Sequence, residues 1–344
     1  MIKACNFPVF LTFKEHLHRT ETAKHEREKA LKCLHDLILL HENTFMLPHE
    51  ILGEGRAILD CFNAPNKRYV NGVFDQIETR HGNSIETLAD AVISSRHVEE
   101  LTRPFSNNAP LSDFDLLNDD SIQDFLHKRL IIQLLCEHYI SLNKGKSTGA
   151  ISLDADLVDV IEDAKQDAMQ VCDGNLGVVP EVIIQPIEND NIKNFVAGPL
   201  IRSWSHHAIV ELSKNAMKAS VERWENEPLI RREQLPPPVH IKVLRNHDHL
   251  SIQVIDEGAG LDEQQRRKAF HFASSSSNKR WDRLQAQQSY AAVRDPLGSL
   301  GVGLTISRLM LRVFGGDLEL TQNNDHGCIA TMKILYDDTF ESHN

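Results

Sequence analysis

The chain has 344 residues, of which 41% are hydrophobic and 25% are charged, and its formal net charge at pH 7 is −12. This length suits two domains better than one, because a domain usually holds roughly 100–200 residues. The sequence contains no apolar run near the roughly 20 residues that cross a bilayer, and its lysines and arginines are dispersed within an acidic chain. We therefore expect no membrane span and no nucleic-acid partner.

Six cysteines are scattered along the sequence without any Cys-x-x-Cys pair. This pattern disfavours both a zinc knuckle and a dense disulfide scaffold, and it fits a reducing compartment. The first twenty residues contain Lys3, Lys14 and Arg19 but only one acid, Glu15. That bias is typical, though weakly so, of mitochondrial import sequences.

The amino-terminal half has the hydrophobic spacing of helices. One helical face is formed by Ala30, Leu31, Leu34, Leu37 and Leu40. A second helix is predicted over Phe125–Leu142, with a core-packing face made of Phe125, Ile132, Leu135 and Tyr139. A third helical run extends from Leu157 to Val171. These patterns predict a helical-bundle domain over residues 1–178.

The second half alternates between strand and helix patterns. Strands are predicted at Glu181–Pro186, His240–Leu244, Leu250–Ile255, Leu318–Thr321 and Cys328–Leu335, and helices at Ser203–Glu225, Asp262–Phe272 and Leu304–Phe314. The pattern predicts a mixed sheet backed by helices over residues 179–340. Residues 274–298 fit neither pattern and exceed the usual limit of about 12–15 residues for a structureless connection, which favours a lid or a disordered insert.

One face of the predicted helix at Ser203–Glu225 is polar. His207, Glu211, Asn215 and Lys218 follow i, i+4, i+8, i+11 spacing, so their side chains share that face. The carbonyl oxygen of Asn215 suits Mg²⁺, which prefers oxygen ligands, and Lys218 can stabilise phosphate as a point charge. For this helix alone, a solvated face with ordinary i,i+4 pairs is the competing interpretation.

Two glycine-bearing segments follow. Asp256-Glu-Gly-Ala-Gly260 supplies a carboxylate that can accept a hydrogen bond from an adenine amino group, while Gly258 and Gly260 permit close approach or positive φ; a plain turn is the alternative. Gly298-Ser-Leu-Gly-Val-Gly-Leu304 precedes a predicted helix, so its amides can receive phosphate oxygens. It lacks the Gly-Lys-Ser/Thr ending of a P-loop, and no βαβ unit follows it.

These segments together resemble the GHKL ATP-binding superfamily and, within it, the mitochondrial kinases of pyruvate dehydrogenase and branched-chain 2-oxoacid dehydrogenase. Glu211–Lys218 resembles the N box of that family, Asp256–Gly260 its G1 box and Ser299–Arg308 its G2 box. The likeness continues through Phe314–Leu320. In the amino-terminal half, Arg80–Leu88 and the helix that ends with Cys136-Glu-His138 are similar to segments of the family's regulatory bundle.

The resemblance implies an α+β fold, with an N-terminal helical bundle followed by a GHKL-type α/β sandwich that binds ATP. It also implies an ATP-dependent protein-serine kinase that phosphorylates, and thereby inactivates, the E1 subunit of a mitochondrial 2-oxoacid dehydrogenase complex. Pyruvate dehydrogenase is the favoured substrate, and the branched-chain enzyme is the alternative. The implied cofactors are ATP and Mg²⁺. The implied partners are E1, the lipoyl domain of E2 and a second copy of the chain, in the mitochondrial matrix.

The same resemblance assigns roles to residues. Glu211 becomes the general base, and His207, one helical turn earlier, would orient it or tune its pKa; an incidental surface histidine is the alternative for His207. Asn215 would hold the metal. The nucleotide would be bound by Glu211, Asn215, Lys218, Asp256, Gly258, Gly260, Ser275, Ser276, Ser299, Leu300, Gly301, Val302, Gly303 and Leu304.

The sequence departs from the family pattern at several positions. Ser299 stands where the G2 box usually has its first glycine, Cys328 where relatives carry threonine, and Ile132 where they have an arginine. Residues 336–344 contain no Asp-Trp pair of the kind that helps pyruvate dehydrogenase kinases dimerise.

Two other functions compete with this interpretation. The first is a sensor histidine kinase, although no His-Glu-x-x-Thr-Pro-like phosphoacceptor segment is found. The second is a catalytically silent binding module of the same fold, which the substitutions at Ser299 and Cys328 would fit.

Overall fold

The computed structural model of the chain describes residues 84–102, 119–153, 155–185, 200–227, 235–245, 249–274, 301–323 and 326–335, with further helical positions between 28 and 40. The chain divides into two compact units, Met1–Gly149 and Ala150–Asn344. This division lies earlier than the predicted domain boundary at residue 178, which stays a prediction. The predicted lid from residue 275 onward, including Ser275 and Ser276, lies outside the described residues, as do Ser299 and Leu300.

The first unit contains two long described helices, α1 (Ser84–Thr102) and α2 (Asp119–Asn143). The predicted core face of α2 is correct for Phe125, which is 5% exposed, but wrong for Ile132 and Leu135, which are 39% and 60% exposed. The buried stripe instead runs through Leu126, with further members at Ile122, Leu130, Cys136 and Ile140. Leu135 follows Leu126 by about two and a half helical turns, so the two side chains point in opposite directions.

The earlier helical segment agrees with its predicted face where it is described. Ala30 and Leu37 are buried, and Leu40 is partly buried. Leu31 and Leu34 lie outside the described residues.

The second unit is built on one mixed sheet. Its strands are β1 (Val182–Gln185), β2 (Val239–Arg245), β3 (His249–Ile255), β4 (Asp317–Gln322) and β5 (Cys328–Leu335). Their order across the sheet is β1-β2-β3-β5-β4. The β1–β2 pair is parallel, and the other three pairs are antiparallel. All five predicted strands are therefore present, each within about two residues of its predicted ends.

Four described helices accompany the sheet: α3 (Leu157–Leu176), α4 (Arg202–Asn226), α5 (Glu263–Lys268) and α6 (Gly303–Arg312). Helix α5 begins at a capping box, in which Asp262 and Gln265 each bond the other's backbone N–H. It ends at Lys268 rather than at the predicted Phe272, whose side chain is fully buried. Helix α3 packs on α4, while α4 and α6 pack on each other and on the sheet.

Alternation along the strands explains this layered arrangement. Every second residue of β2 faces the helices, as shown by buried Val239, Ile241 and Val243. The corresponding core positions of β3 and β5 are Leu250, Ile252, Val254, Ala330, Met332 and Ile334. Apolar residues of α4, among them Ala208, Ile209, Leu212 and Ala216, belong to the same core. The predicted α+β class is confirmed, and α4 is placed as the helix on which the candidate site is built.

No helix in the described part of the chain combines the length and the apolar character needed to span a membrane.

Candidate functional site

Helix α4 holds a buried carboxylate near its middle. Glu211 is 5% exposed, and its Oε1 accepts a hydrogen bond from Lys214 Nζ at 2.9 Å. Lys214 lies three residues further along the helix, and its side chain is itself only 12% exposed. An ion pair this sheltered from solvent is weakly screened, so it restrains the carboxylate more firmly than a surface pair would.

Lys214 is a site residue that reasoning from the sequence missed. The predicted polar face contained Lys218 instead, whose side chain is 45% exposed and lies 3.8 Å from Glu222. The i,i+3 spacing of Glu211 and Lys214 was the available signal, because residues three apart are also neighbours on a helix.

His207 lies one turn before Glu211 and is largely enclosed. Its Nε2 is buried and has no hydrogen-bond partner within the described residues. Burial lowers the pKa of His207, although the nearby charge of Glu211 opposes this effect. The imidazole is therefore neutral near pH 7, with a nitrogen available as a donor or an acceptor.

A pocket of about 320 Å³ reaches His207 from the side of α3. Its other lining residues are Asp167, Gln170, Val171, His206 and Val210. His206 Nε2 lies 3.2 Å from a carboxylate oxygen of Asp167, which pairs the two helices at this point. Open space therefore reaches His207 next to Glu211.

Asn215 continues the same helical face toward solvent. Its side chain is exposed, in contrast to buried Glu211 one turn earlier. Solvent exposure of the predicted face therefore increases along the helix. His207 and Glu211 are enclosed, whereas Asn215 and Lys218 are accessible. An accessible carboxamide oxygen can contribute one ligand to a cation, and the described residues contain no cluster of three His, Cys, Asp or Glu side chains able to hold a metal by itself.

A second buried carboxylate follows the end of β3. Asp256 Oδ1 accepts hydrogen bonds from the backbone N–H groups of Gly258, at 2.8 Å, and Cys328, at 3.1 Å. Among the described residues, no hydrogen bond reaches Oδ2. Burial raises the pKa of Asp256 to about 6, and the two backbone hydrogen bonds work against that rise. One oxygen is fixed by the main chain, and the other remains free for a ligand.

Gly258 and Gly260 in this segment must each be glycine, but for different physical reasons. Gly260 has φ +78, a conformation that other residues rarely adopt. Gly258 lacks positive φ, but a Cβ there would lie 2.7 Å from the Cβ of Ala219 on α4. Its missing side chain therefore lets the loop rest on α4.

Cys328 contacts Asp256 through its main chain rather than through its thiol. Its backbone N–H holds Asp256 Oδ1, and its backbone oxygen accepts from the N–H of Asp256 at 3.0 Å. Burial, together with the charge of Asp256, raises the pKa of the thiol to about 12, so the side chain is a neutral thiol at physiological pH.

The glycine-bearing segment before α6 is described from Gly301 onward. Gly301 has φ +66, Val302 is 1% exposed at the N-cap position, and Gly303 begins the helix with Leu304 partly buried behind it. A Cβ on Gly303 would lie 2.2 Å from Glu211 Oε2. The segment predicted to receive phosphates therefore directly touches the buried carboxylate of α4.

Helix α6 is anchored at both of its ends. Thr305 Oγ1 donates to the backbone oxygen of Phe270 at 3.0 Å, and the guanidinium of Arg308 lies over the Phe270 ring. Arg308 and Arg312 both bond Asp317 at the start of β4. Burial alone would raise the pKa of Asp317, but these hydrogen bonds hold it well below its usual range. The start of α6 is therefore held in a defined position against Glu211.

The chain is similar in sequence to known proteins. Residues 202–338 match the family described as histidine kinase-, DNA gyrase B- and HSP90-like ATPase. Rat pyruvate dehydrogenase (acetyl-transferring) kinase isozyme 4, a mitochondrial protein, is 25% identical over 343 residues, which cover 95% of this chain and 72% of that protein. Human isozyme 3 is 28% identical over 282 residues, covering 78% and 63%, and mouse isozyme 1 is 26% identical over 270 residues, covering 75% and 56%.

The chain thus spans less than two thirds of the length of several of these kinases. A domain of the matched family implies ATP binding. Residues 202–338 form a GHKL ATPase domain, in a chain whose relatives over most of its length are pyruvate dehydrogenase kinases.

Proposed function

We propose that this chain is an ATP-dependent protein-serine kinase that phosphorylates the E1 subunit of a mitochondrial 2-oxoacid dehydrogenase complex, with pyruvate dehydrogenase as the favoured substrate. The observation that carries the proposal is the contact between Glu211 and Gly303, which brings a candidate base against the segment that would hold the phosphates. The names of the relatives support the choice of substrate.

The nucleotide would lie along α4, between the two glycine-bearing segments. The free Oδ2 of Asp256 would accept a hydrogen bond from the adenine amino group, beside Gly258 and Gly260. The phosphates would meet the backbone amides of residues 301–304 at the start of α6, with Ser299 and Leu300 before them and Ser275 and Ser276 from the lid. Lys218, at the accessible end of the α4 face, would meet phosphate as well.

Asn215 fits a role toward Mg²⁺. Its carboxamide oxygen is accessible on α4, and Mg²⁺ typically takes few protein ligands when nucleotide phosphates complete its coordination. When bound, the ion would neutralise charge on the phosphates during transfer.

Glu211 would act as the general base. It would take the proton from the serine hydroxyl as the serine oxygen bonds to the γ-phosphorus and the bond between that phosphorus and ADP breaks. Lys214 restrains Glu211 through Oε1, while the neutral imidazole of His207, one turn away, would orient the carboxylate or the serine. Glu211 is 5% exposed, and this burial would limit the access of water to the transferring phosphoryl group and so its loss to hydrolysis.

The partners and the location belong to the same proposal. We infer that the chain acts in the mitochondrial matrix, as a homodimer docked through the lipoyl domain of E2. The mitochondrial names of the relatives support the location.

The test is a transfer assay with purified components. The wild-type chain is incubated with labelled ATP and, separately, with the E1 components of the pyruvate and branched-chain complexes. Acid-stable phosphoserine on pyruvate dehydrogenase E1 is the expected product, and preferential labelling of the branched-chain E1 would change the substrate. Acid-labile phosphohistidine on the chain itself would indicate a histidine kinase instead. ATP binding without transfer to either E1 would indicate a silent module.

A further inference from the structure

We propose that Gly303 is a positioning residue for Glu211: its missing side chain provides the space in which the carboxylate of the base lies. This inference rests on the proposed function, because it assigns Gly303 to the step in which Glu211 takes the proton. It differs from the usual role of a glycine in a phosphate-binding loop, which is to let the backbone approach the ligand.

Backbone conformation does not explain a glycine at this position. Gly303 is the first residue of α6 and is not among the glycines with positive φ, whereas Gly301, two residues earlier, has φ +66. At a position without positive φ, glycine has no conformational advantage over alanine. The positive φ of Gly301 explains why that residue is glycine, but the glycine at position 303 requires a different explanation.

The surroundings of Gly303 supply that reason. The three heavy atoms nearest to a Cβ built at this position all belong to Glu211: Oε2 at 2.2 Å, Cδ at 2.8 Å and Cγ at 3.2 Å. The side chain at 303 would therefore point at the base. An added methyl group overlaps the carboxylate itself.

Glu211 has little freedom to avoid the overlap while keeping its place. Its Oε1 is bonded to Lys214 at 2.9 Å, and its side chain is 7% exposed. Because the clashing atoms are the far end of a side chain rather than backbone, a methyl group at 303 would displace the carboxylate and leave α6 folded. We therefore expect a Gly303 variant to lose rate through a misplaced base.

The contact also couples two parts of the site. Residue 303 begins the helix whose amides would meet the phosphates, and the same residue sets the position of the carboxylate. The base is thus placed relative to the phosphates by direct packing across 92 positions of sequence, from Glu211 to Gly303.

The first experiment is a kinetic double-mutant cycle in the full chain, using Gly303→Ala, Glu211→Asp and the double variant. Gly303→Ala should lower kcat at least about tenfold, since misplacement by about 1 Å can cost on the order of 100-fold, while the ATP dissociation constant stays within about twofold. Because the Asp side chain is one methylene shorter than Glu, its carboxylate lies farther from residue 303. The double variant should therefore be no slower than Glu211→Asp alone.

The outcomes separate the two proposals. Effects that multiply in the double variant, or a loss of ATP affinity that accounts for the loss of rate, would assign Gly303 to phosphate binding and overturn its role toward Glu211. Absence of transfer by the wild type to either E1 would overturn the proposed function, and with it the role of Gly303.

The second experiment measures the contact without any reaction. Thermal unfolding is compared for Gly303→Ala in the wild type and in a Glu211→Ala background, where the carboxylate is absent. The substitution should lower the unfolding temperature in the first background and leave it equal or higher in the second. Gly174→Ala on α3 is the matched control, since a Cβ there meets nothing within 4 Å and should change neither kcat nor the difference between backgrounds. Equal effects of Gly303→Ala in both backgrounds would contradict the contact.

Discussion

The two ends of the candidate site each contain a carboxylate that is 5% exposed, but they hold it in different ways. Asp256, at the end proposed to bind adenine (the adenine end), is bonded by two main-chain N–H groups. Glu211, at the end proposed for phosphoryl transfer (the transfer end), is bonded by the side chain of Lys214 and occupies the space that a side chain at Gly303 would fill. The adenine end should therefore tolerate changes in neighbouring side chains, whereas the transfer end should be sensitive to them.

The largest effect is expected at the transfer end. Glu211→Gln keeps the shape of the side chain but removes its ability to take a proton, so the rate of transfer should fall by about 10²–10⁴, the usual contribution of a general base. ATP affinity, measured by calorimetry, should remain close to that of the wild type. Single-turnover assays with labelled ATP measure the rate.

A control for this variant lies on the same helix. Glu222→Gln changes a carboxylate that is 59% exposed and pairs only loosely with Lys218, so it should leave the rate unchanged. An unaltered rate in Glu211→Gln would remove Glu211 from the role of base.

The next effect concerns affinity at the adenine end. Asp256→Ala should weaken ATP binding by about 10- to 100-fold, because a hydrogen bond to a charged group contributes about 1.5–3 kcal/mol. The variant should also unfold more readily, since the N–H groups of Gly258 and Cys328 lose their buried acceptor. Calorimetry and thermal unfolding measure the two effects.

Asp256→Asn separates these two effects. The amide oxygen can still accept from Gly258 and Cys328, but the amino group then points at adenine as a donor. Stability should be kept, while ATP affinity should fall about as far as in Asp256→Ala. If the asparagine variant bound ATP as well as the wild type, Asp256 would have a structural role only.

Some of the structural features behind these predictions could be predicted from the sequence, and others could not. Strands β2, β3 and β5 were predictable because one face of each packs on helices, which leaves alternation in the sequence. Helix α2 was predicted, although it begins at Asp119, six residues before the predicted Phe125. Its buried face was predicted wrongly, since Leu130-Ile-Ile-Gln-Leu-Leu135 is apolar nearly all round and its periodicity selects no side. The end of α5 was also missed, because Phe272 suits a helix but is buried beyond it.

The site shows the same limit at the level of single contacts. Asp256, Gly258 and Gly260 could be assigned to one loop because they are neighbours in sequence. The packing of Gly303 on Glu211 and the bond from the N–H of Cys328 to Asp256 join distant segments, and the identity of a side chain carries no information about a main-chain donor. The sequence could suggest which residues form the site, but not which groups hold them in place.

Asp256 is expected to contribute a pH dependence of its own. Burial raises its pKa from 3.8 to about 6, so between about pH 4 and pH 6 the folded chain binds a proton that the unfolded chain has lost. This group's contribution to stability therefore decreases as pH rises from about 4 through 6 and is constant above that. Because Oδ1 accepts from two N–H groups, the proton should bind to Oδ2, the oxygen proposed to accept from adenine.

ATP affinity should consequently change in the direction opposite to stability. It should fall below pH 6, by about tenfold at pH 5 relative to pH 7, as the acceptor becomes protonated. Calorimetric titrations between pH 5 and pH 7.5 measure this, and the same series with Asp256→Asn supplies the contribution of the nucleotide's own phosphates. A wild-type profile no steeper than that of the variant would show that Asp256 does not titrate in the site.

The smallest effect is expected at Cys328. It tests whether main-chain groups alone hold Asp256 in place at the adenine end. Cys328 holds Asp256 through its backbone N–H, while its thiol stays protonated because burial raises its pKa to about 12. Cys328→Thr keeps that N–H and replaces a weak donor with a hydroxyl, so ATP affinity should rise by a few-fold, in line with a net gain of about 0.5–1.5 kcal/mol per hydrogen bond. Cys328→Val has a similar shape and no donor, and it should leave affinity unchanged. If either substitution altered affinity as strongly as Asp256→Ala, the side chain at 328 would be holding the carboxylate or the nucleotide, and the two ends of the site would no longer differ in how they are built.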